Sequence, residues 1–361
     1  MKTMLVLSMG ALLLAGTLSA QTPIPEWQAG VDKMKSLIQT NPAQASEEVG
    51  GLLKGKNKKN VDLVTSVAHV YLDAGKLTEA QEYLAMAKKA DNKDPKVSVL
   101  EGDIALAQKD IGQACQLYEQ AIYFDPNCKE AYLKYAQAYK SASPALAIEK
   151  LEQLKAVDPN CLEADRELAE VYYSSNRFGK AAEMYAKFID TPLAAEDDML
   201  KYAFALFLNH DFEKSLQVAQ KGLQKNARHA AFNRLVMYNN TDLKRYEDAE
   251  KAADAFFNAS DHADYSYLDY RYYGALLSAL KKYDEAIIEY GKALEKDGTQ
   301  VDLWREISDA HEMNNNYAEA IAAYRKYYDA LAKDKKTPET LFQLGLSLIH
   351  ISEPTRQAEI S

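Results

Sequence analysis

Four arginines, Arg166, Arg234, Arg271 and Arg305, recur near multiples of one spacing, about 34 residues, with Leu200 midway through the longest gap. A guanidinium presents a rigid fork of donors, so a column of them suits bidentate binding of carboxylates. Tyr173, Phe204, Phe207, Tyr238 and Tyr272 lie in the same stretches, and arginine with aromatics is the mixture enriched where proteins hold partners. Two readings stand side by side. In one, the column captures an extended peptide or the acidic tail of a partner. In the other, each arginine pairs with neighbouring acids such as Glu163, Glu167, Glu170, Glu306 or Asp309. A few charged hydrogen bonds at about 1.5–3 kcal/mol each would carry the first reading to a micromolar complex. Exposed pairs of the second kind contribute about 0–1 kcal/mol.

Catalysis finds no comparable support. There is no Gly-rich phosphate loop, Gly-x-Ser-x-Gly elbow, His-Glu-x-x-His or Cys-x-x-Cys. His69, His210, His229, His262 and His311 are scattered without metal-ligand spacing, and Asp197 with Asp198 suits a solvated helix start. Residues 21–345 are therefore expected to hold no catalytic residue, no metal and no cofactor. A formal charge of -10 makes nucleic acid and anionic membranes poor partners.

The elements that position these side chains are written in a repeat. Ala80, Ala114, Ala147, Ala181, Ser215, Ala249, Ala286 and Ala320 follow one another at nearly constant spacing, with a slightly short step before Ala147 and a longer one before Ala286. A small residue at one register means a close helix contact in every unit, where a larger side chain would cost about 1–3 kcal/mol. Just upstream of these stand Leu77, Ile111, Phe178, Phe212, Tyr246, Tyr283 and Tyr317, with Pro144 in the one shortened unit. Further upstream runs a second small column, Ala68, Gly102, Ala169, Ala203, Gly274 and Ser308, with Ala136 displaced by a single deletion and Met237 breaking the pattern. Each unit reads as two amphipathic helices that cross where small meets small. Acids after Phe212, Tyr246 and Tyr283 suit the second-helix start, and Asp-Pro-Asn at 125–127 and 158–160 ends that helix. Cys128 and Cys161 close successive units in the same Asp-Pro-Asn-Cys, so helix packing sets them about 10 Å apart, beyond the roughly 7 Å that a disulfide tolerates. These two and Cys115 are expected as free thiols.

This pattern resembles the tetratricopeptide repeat (TPR) family, whose signature runs aromatic, Leu-Gly, Tyr, Ala, aromatic, Pro. Tyr270, Tyr273, Gly274, Ala286, Tyr290 and Ala293 match it, as do Trp304, Ile307, Ala320 and Tyr324. The resemblance implies an all-α fold, an α-solenoid of stacked antiparallel helix pairs whose first helices line an inner wall. With the alanine column as position 20, that wall would carry Arg166, Arg234, Arg271 and Arg305 at position 5, and the five aromatics beside them. The Lys and Asn clamp by which chaperone-tail members of the family hold a terminal carboxylate is not reproduced at Glu167, Glu170, Lys201, Phe204, Leu235 and Tyr238.

The chain divides into residues 1–20, a secretory signal peptide; 21–60, a divergent helix pair (Trp27 to Ile38 and Pro42 to Leu53) suited to an N-terminal cap; 61–337, eight repeats; and 338–345, the start of a ninth. The leader combines Lys2, an apolar run from Met4 to Leu14 and small residues up to Ala20. That run is shorter than the roughly 20 residues a membrane span needs, so cleavage near Ala20 and a periplasmic or secreted destination without stable membrane insertion are expected. Residues 346–361 do not continue the repeat. Leu-Ser-Leu-Ile-His-Ile-Ser-Glu-Pro-Thr-Arg at 346–356 resembles the translation of a transposase-type sequencing adapter, and the tail is read as non-native. Together these features point to a non-enzymatic protein-interaction scaffold of the bacterial envelope that binds a protein or peptide. The alternative is the recruiting arm of an envelope protease or cell-wall enzyme whose catalytic domain follows Gly345. A structural oligomer of end-to-end stacked repeats is the third reading.

Overall fold

Nine helix pairs account for the residues that the computed structural model describes, 24–260, 264–331 and 336–338. The leader, His262, residues 339–345 of the ninth unit and the tail at 346–361 lie outside the described residues. The pairs are α1 (Gln28–Leu37) with α2 (Pro42–Leu52), α3 (Val61–Asp73) with α4 (Leu77–Ala90), α5 (Pro95–Ala107) with α6 (Ile111–Phe124), and α7 (Lys129–Tyr139) with α8 (Pro144–Val157). There follow α9 (Leu162–Ser174) with α10 (Phe178–Phe188), α11 (Glu196–Leu208) with α12 (Phe212–Lys225), and α13 (Ala230–Asp242) with α14 (Tyr246–Asp254). The last pairs are α15 (Tyr267–Ala279) with α16 (Tyr283–Lys296), and α17 (Asp302–Met313) with α18 (Tyr317–Ala330). No strand forms among the described residues, so the fold is all-α, built of stacked antiparallel pairs. The chain separates into two compact units, dividing between Tyr135 and Ala136, in the one pair whose sequence is shortened.

The repeat columns acquire definite places. Leu77, Ile111, Pro144, Phe178, Phe212, Tyr246, Tyr283 and Tyr317 are each the first residue of a second helix. Every member of the alanine column is buried, none more than 3 % exposed. Small meets small where the Ser215 hydroxyl donates to the Ala203 carbonyl and the Ser308 hydroxyl to that of Ala320, each at 2.8 Å. In two first helices the small residue instead lies beneath a tyrosine of its partner. A Cβ on Gly102 would stand 2.5 Å from the Tyr118 ring, and one on Gly274 would stand 2.7 Å from that of Tyr290.

Between the two helices of seven pairs the chain turns through one left-handed residue. This is Gly75, Lys109, Asn176, His210, Lys244, Lys281 or Asn315, with φ between 57° and 74°. In each, the next residue donates its N–H back into the last turn of the first helix, as Asp110 does to Ala105 and Arg245 to Asn240, closing a Schellman motif that satisfies the final carbonyls. The shortened pair around Pro144 has no such residue. The longer step between Ala249 and Ala286 is taken up locally: α14 stops at Asp254, and a π turn at Ala255–Ala259 follows, burying Phe256 completely.

Candidate functional site

The first helices of the second unit carry the arginine column, and the structure shows where each fork goes. Arg166 on α9 reaches Asp198 on α11, with Nε 3.1 Å from Oδ1 and Nη2 3.0 Å from Oδ2. Arg234 on α13 holds Asp269 on α15, with Nε 2.7 Å from Oδ1 and Nη2 3.1 Å from Oδ2, and lies over the Phe256 ring. Arg271 on α15 chelates Glu306 on α17 at 2.6–3.2 Å. Each is a bidentate pair between one repeat and the next. Glu306 is among the acids foreseen; Asp198 and Asp269 are not, because they are third residues of the following first helix. There each also accepts an N-terminal N–H, Asp198 from Ala195 and Asp269 from Ser266, both at 2.7 Å. Arg305 is exposed and lies over the Tyr327 ring at 5.8 Å.

Asp269 is wholly buried and accepts five hydrogen bonds, two from Arg234, one from the Tyr238 hydroxyl at 2.8 Å, and two from Ser266. The aromatics pack into the same wall. Tyr238 and Tyr272 stack at 4.0 Å, with Phe207 at 5.6 and 6.2 Å from them. Tyr238 and Phe207 are buried, Tyr173, Phe204 and Tyr272 half-buried. Burial first, and the Asp269 carboxylate second, push the Tyr238 hydroxyl far above its ordinary range. The wall of arginine and aromatics is therefore largely a set of internal latches.

A second latch recurs in both units and has a sequence signal outside the small-residue columns. Tyr118, one helical turn after Ala114, donates to Asp103 at 2.7 Å, and Lys134 approaches the same carboxylate at 2.9 Å. Tyr185, one turn after Ala181, donates to Glu170 at 2.8 Å, and Lys201 approaches it at 2.9 Å. The pattern is an acid on a first helix, a tyrosine on the second helix of the same pair, and a lysine on the first helix of the next pair.

In the first unit, His69, Asp103 and Glu130 bring ligand-type atoms within 4.8 Å of one another. Lys134 already supplies the cation, 2.9 Å from Asp103 and 3.7 Å from Glu130. His69 Nδ1 is buried without a partner, so the proton belongs on Nε2, where it faces Asp103 at 3.3 Å. A metal on Nε2 would move that proton to a nitrogen with no acceptor. The trio suits a hydrogen-bonded network better than an ion.

One open cleft, of about 490 Å³, lies in the first unit on the face of α1, α3 and α5. The half-buried Trp27 and the edges of the buried Val31, Val70 and Val99 line it, and Asp32, Asp62, Asp73 and Glu130 stand around it. Its volume falls in the range of ligand-binding clefts. Sequence reasoning missed it, because Trp27 and Asp32 belong to the divergent pair that does not align with the repeats. A smaller hollow of about 330 Å³ in the second unit is lined by Ala275, Tyr290, Glu306, Asp309 and Met313. Burial, set against the Arg305 charge, leaves Asp309 above the usual carboxylate range.

The sequence model of the family described as tetratricopeptide repeat matches residues 68–127, 137–195 and 274–335, half of the chain. Among solved structures, a tetratricopeptide repeat protein from Parabacteroides merdae is 14% identical with a TM-score of 0.42, covering 69% of this chain and 98% of its own. PilF of Pseudomonas aeruginosa is 16% identical with a TM-score of 0.46, covering 62% and 99%. Yeast Tom70 is 13% identical with a TM-score of 0.42, covering 92% and 82%. No curated protein matches the chain in sequence.

Proposed function

Because the chain belongs to the tetratricopeptide repeat family, whose members are generally non-catalytic protein-interaction scaffolds, we propose that it is such a scaffold of the bacterial envelope and holds a partner segment in the cleft of its first unit. The observation that carries the choice of site is the contrast between the two faces just described. Arg166, Arg234 and Arg271 are engaged by carboxylates of the next repeat, while the cleft beside Trp27 presents apolar surface and acids to solvent. A guanidinium already chelated at 2.6–3.2 Å would have to give up that bond to take a ligand's carboxylate, and the exchange gains little. The envelope assignment rests on the leader-like residues 1–20, and no helix among the described residues is long and apolar enough to cross a membrane.

The test places a photoreactive residue at Ser66, which lines the cleft, and separately at Tyr123, which is 82 % exposed on α6, in the chain expressed in a Gram-negative host. A discrete crosslinked partner from Ser66 and none from Tyr123 is expected, with a mature N-terminus at Gln21. Equal capture from both positions would count against the cleft, and an intact leader on a cytoplasmic product against the location.

A further inference from the structure

We infer that the partner segment held in this cleft is basic, a lysine- or arginine-bearing stretch with apolar residues between its charges. The inference rests on the proposed cleft and adds the chemistry of its occupant. Acids outnumber bases around the cleft: Asp32, Asp62, Asp73 and Glu130 against Lys35 and Lys96. Lys96 is already bonded to Asp62, so it answers one acid and leaves the rest. Asp32 receives only the Gln28 side-chain amide, at 3.0 Å, and Asp73 is exposed to solvent at the cleft. Glu130 is exposed, and the Lys134 it shares with Asp103 stands 3.7 Å away. The half-buried Trp27 lies among these carboxylates, with only the edges of the buried Val31, Val70 and Val99 beside it, so an occupant that places ammonium or guanidinium groups on the acids sets an apolar side chain against the indole.

The chain itself shows the mode of binding. Its own lysines seat on first-helix acids of a neighbouring repeat, Lys96 on Asp62 and Lys134 on Asp103 in the first unit, and Lys201 on Glu170 in the second. The first helices of the second unit are acid-rich too, Glu170, Asp198, Asp269 and Glu306 of the latches among them. Its first helices α9, α11, α13, α15 and α17 hold thirteen acids against five bases, whereas its second helices from α8 to α18 hold fourteen against twelve. The negative charge is thus concentrated on the helices that carry the latches, although the arginine column by itself suggests an acidic partner. A chain of net charge -10 also steers basic segments toward it at low ionic strength.

The probe is a fluorescein-labelled octapeptide of alternating Lys and Val, compared with the Glu and Val octapeptide, by anisotropy on the full chain. The Lys peptide is expected to bind and the Glu peptide not. Affinity should fall about three- to tenfold in Asp32→Asn/Asp73→Asn, whose side chains are exposed and whose loss leaves the core intact, and should fall again as salt is raised. Lys35→Glu should strengthen binding. Trp27→Ala separates the two levels of the reading. If Lys-peptide binding falls with Trp27→Ala but ignores the aspartate variants, or if the Glu peptide binds equally well, the cleft stands and the basic occupant is overturned. If no peptide binds, or binding ignores all these variants, the cleft assignment falls and the inference with it.

Discussion

Asp269→Asn removes one charge and almost no volume, yet the structure makes it strongly destabilising. Five donor contacts converge on the Asp269 carboxylate, from Arg234 Nε and Nη2, Tyr238 Oη, Ser266 N and Ser266 Oγ. An asparagine amide has one oxygen to answer them, and its own NH2 must point at donors. The residue is fully buried, so water cannot take the missing roles, and Arg234, its side chain 22 % exposed, keeps a charge without its counter-ion. Breaking a buried pair in this way costs about 3–5 kcal/mol, a total that includes the lost bond to the first turn of α15. Asp198→Asn is the internal comparison. It loses three donors instead of five, and its arginine is 38 % exposed, so solvent screening limits the cost to about 1–2 kcal/mol. Repeat arrays do not always unfold as one body, so urea denaturation is best joined to hydrogen exchange, which reads the opening of α13 and α15 separately from the first unit. Protection should fall most in α13 and α15 and stay unchanged in α3 to α6. A cost below about 1 kcal/mol for Asp269→Asn, or equal costs for the two variants, would refute the view that this carboxylate organises the repeat junction.

Gly102→Ala drives a Cβ to 2.5 Å from the buried Tyr118 ring and is expected to cost about 1–3 kcal/mol in thermal or urea unfolding. Gly50→Ala in α2, whose added Cβ would meet no neighbouring group within 4 Å, should instead gain up to about 1 kcal/mol from helix propensity. Lys244→Gly relieves a left-handed lysine at φ 58°; about 1–2 kcal/mol of strain less the backbone entropy of glycine leaves a gain of roughly 0.5 kcal/mol, and a loss of stability would contradict the turn geometry. Alkali should unfold the chain through its buried tyrosines. Burial raises the Tyr290 hydroxyl to about 12 from 10.0 and pushes Tyr118 and Tyr185 higher still. An acid whose pKa is raised by folding gives stability that is complete below pH 10 and is lost as the pH climbs through the folded value, so stability should be flat near neutrality and drop above about pH 10. Phenolate absorbance for these residues should then appear together with the loss of helical circular dichroism, and ionisation of all tyrosines in a still-helical protein would contradict it.

Most of the scaffold was legible because one physical requirement repeats. A helix crossing admits only a small side chain, and that requirement returns once in every unit, so the starts of the second helices could be read directly from Leu77, Ile111 and the aromatics that follow. The turns between helices carried no such mark. Only Gly75 among the seven left-handed residues is a glycine, and Lys109, Lys244 and Lys281 are held there by hydrogen bonds rather than by residue type. The arginine column could be read, but its partners lie on the next first helix, two of them at a helix-cap position that pattern alone assigns to the dipole. The cleft was hidden for a different reason. A surface assembled from Trp27, Asp62, His69 and Val99 depends on how a non-repeating helix packs against repeating ones, and no periodicity encodes that.

The place where the column holds Leu200 has a mechanical meaning. Between α11 and α13 the column supplies no arginine, and on the first-helix side His229 approaches Glu196 at 3.8 Å. The second-helix side of the same step is tied by Arg245 to Glu213 at 2.8 Å, and the buried Asn239 amide of α13 donates to the Ser215 hydroxyl of α12 at 2.8 Å. Apolar surfaces such as those of Met199 and Phe207 against Leu235 and Tyr238 resist separation but tolerate sliding, whereas a bidentate pair resists both. A joint fastened along one margin and merely greased along the other bends about the fastened margin. Bending of the second unit is therefore expected to be easier at this step than at the three bidentate junctions, and a cross-link from α11 to α13 should stiffen the unit more than one placed at those.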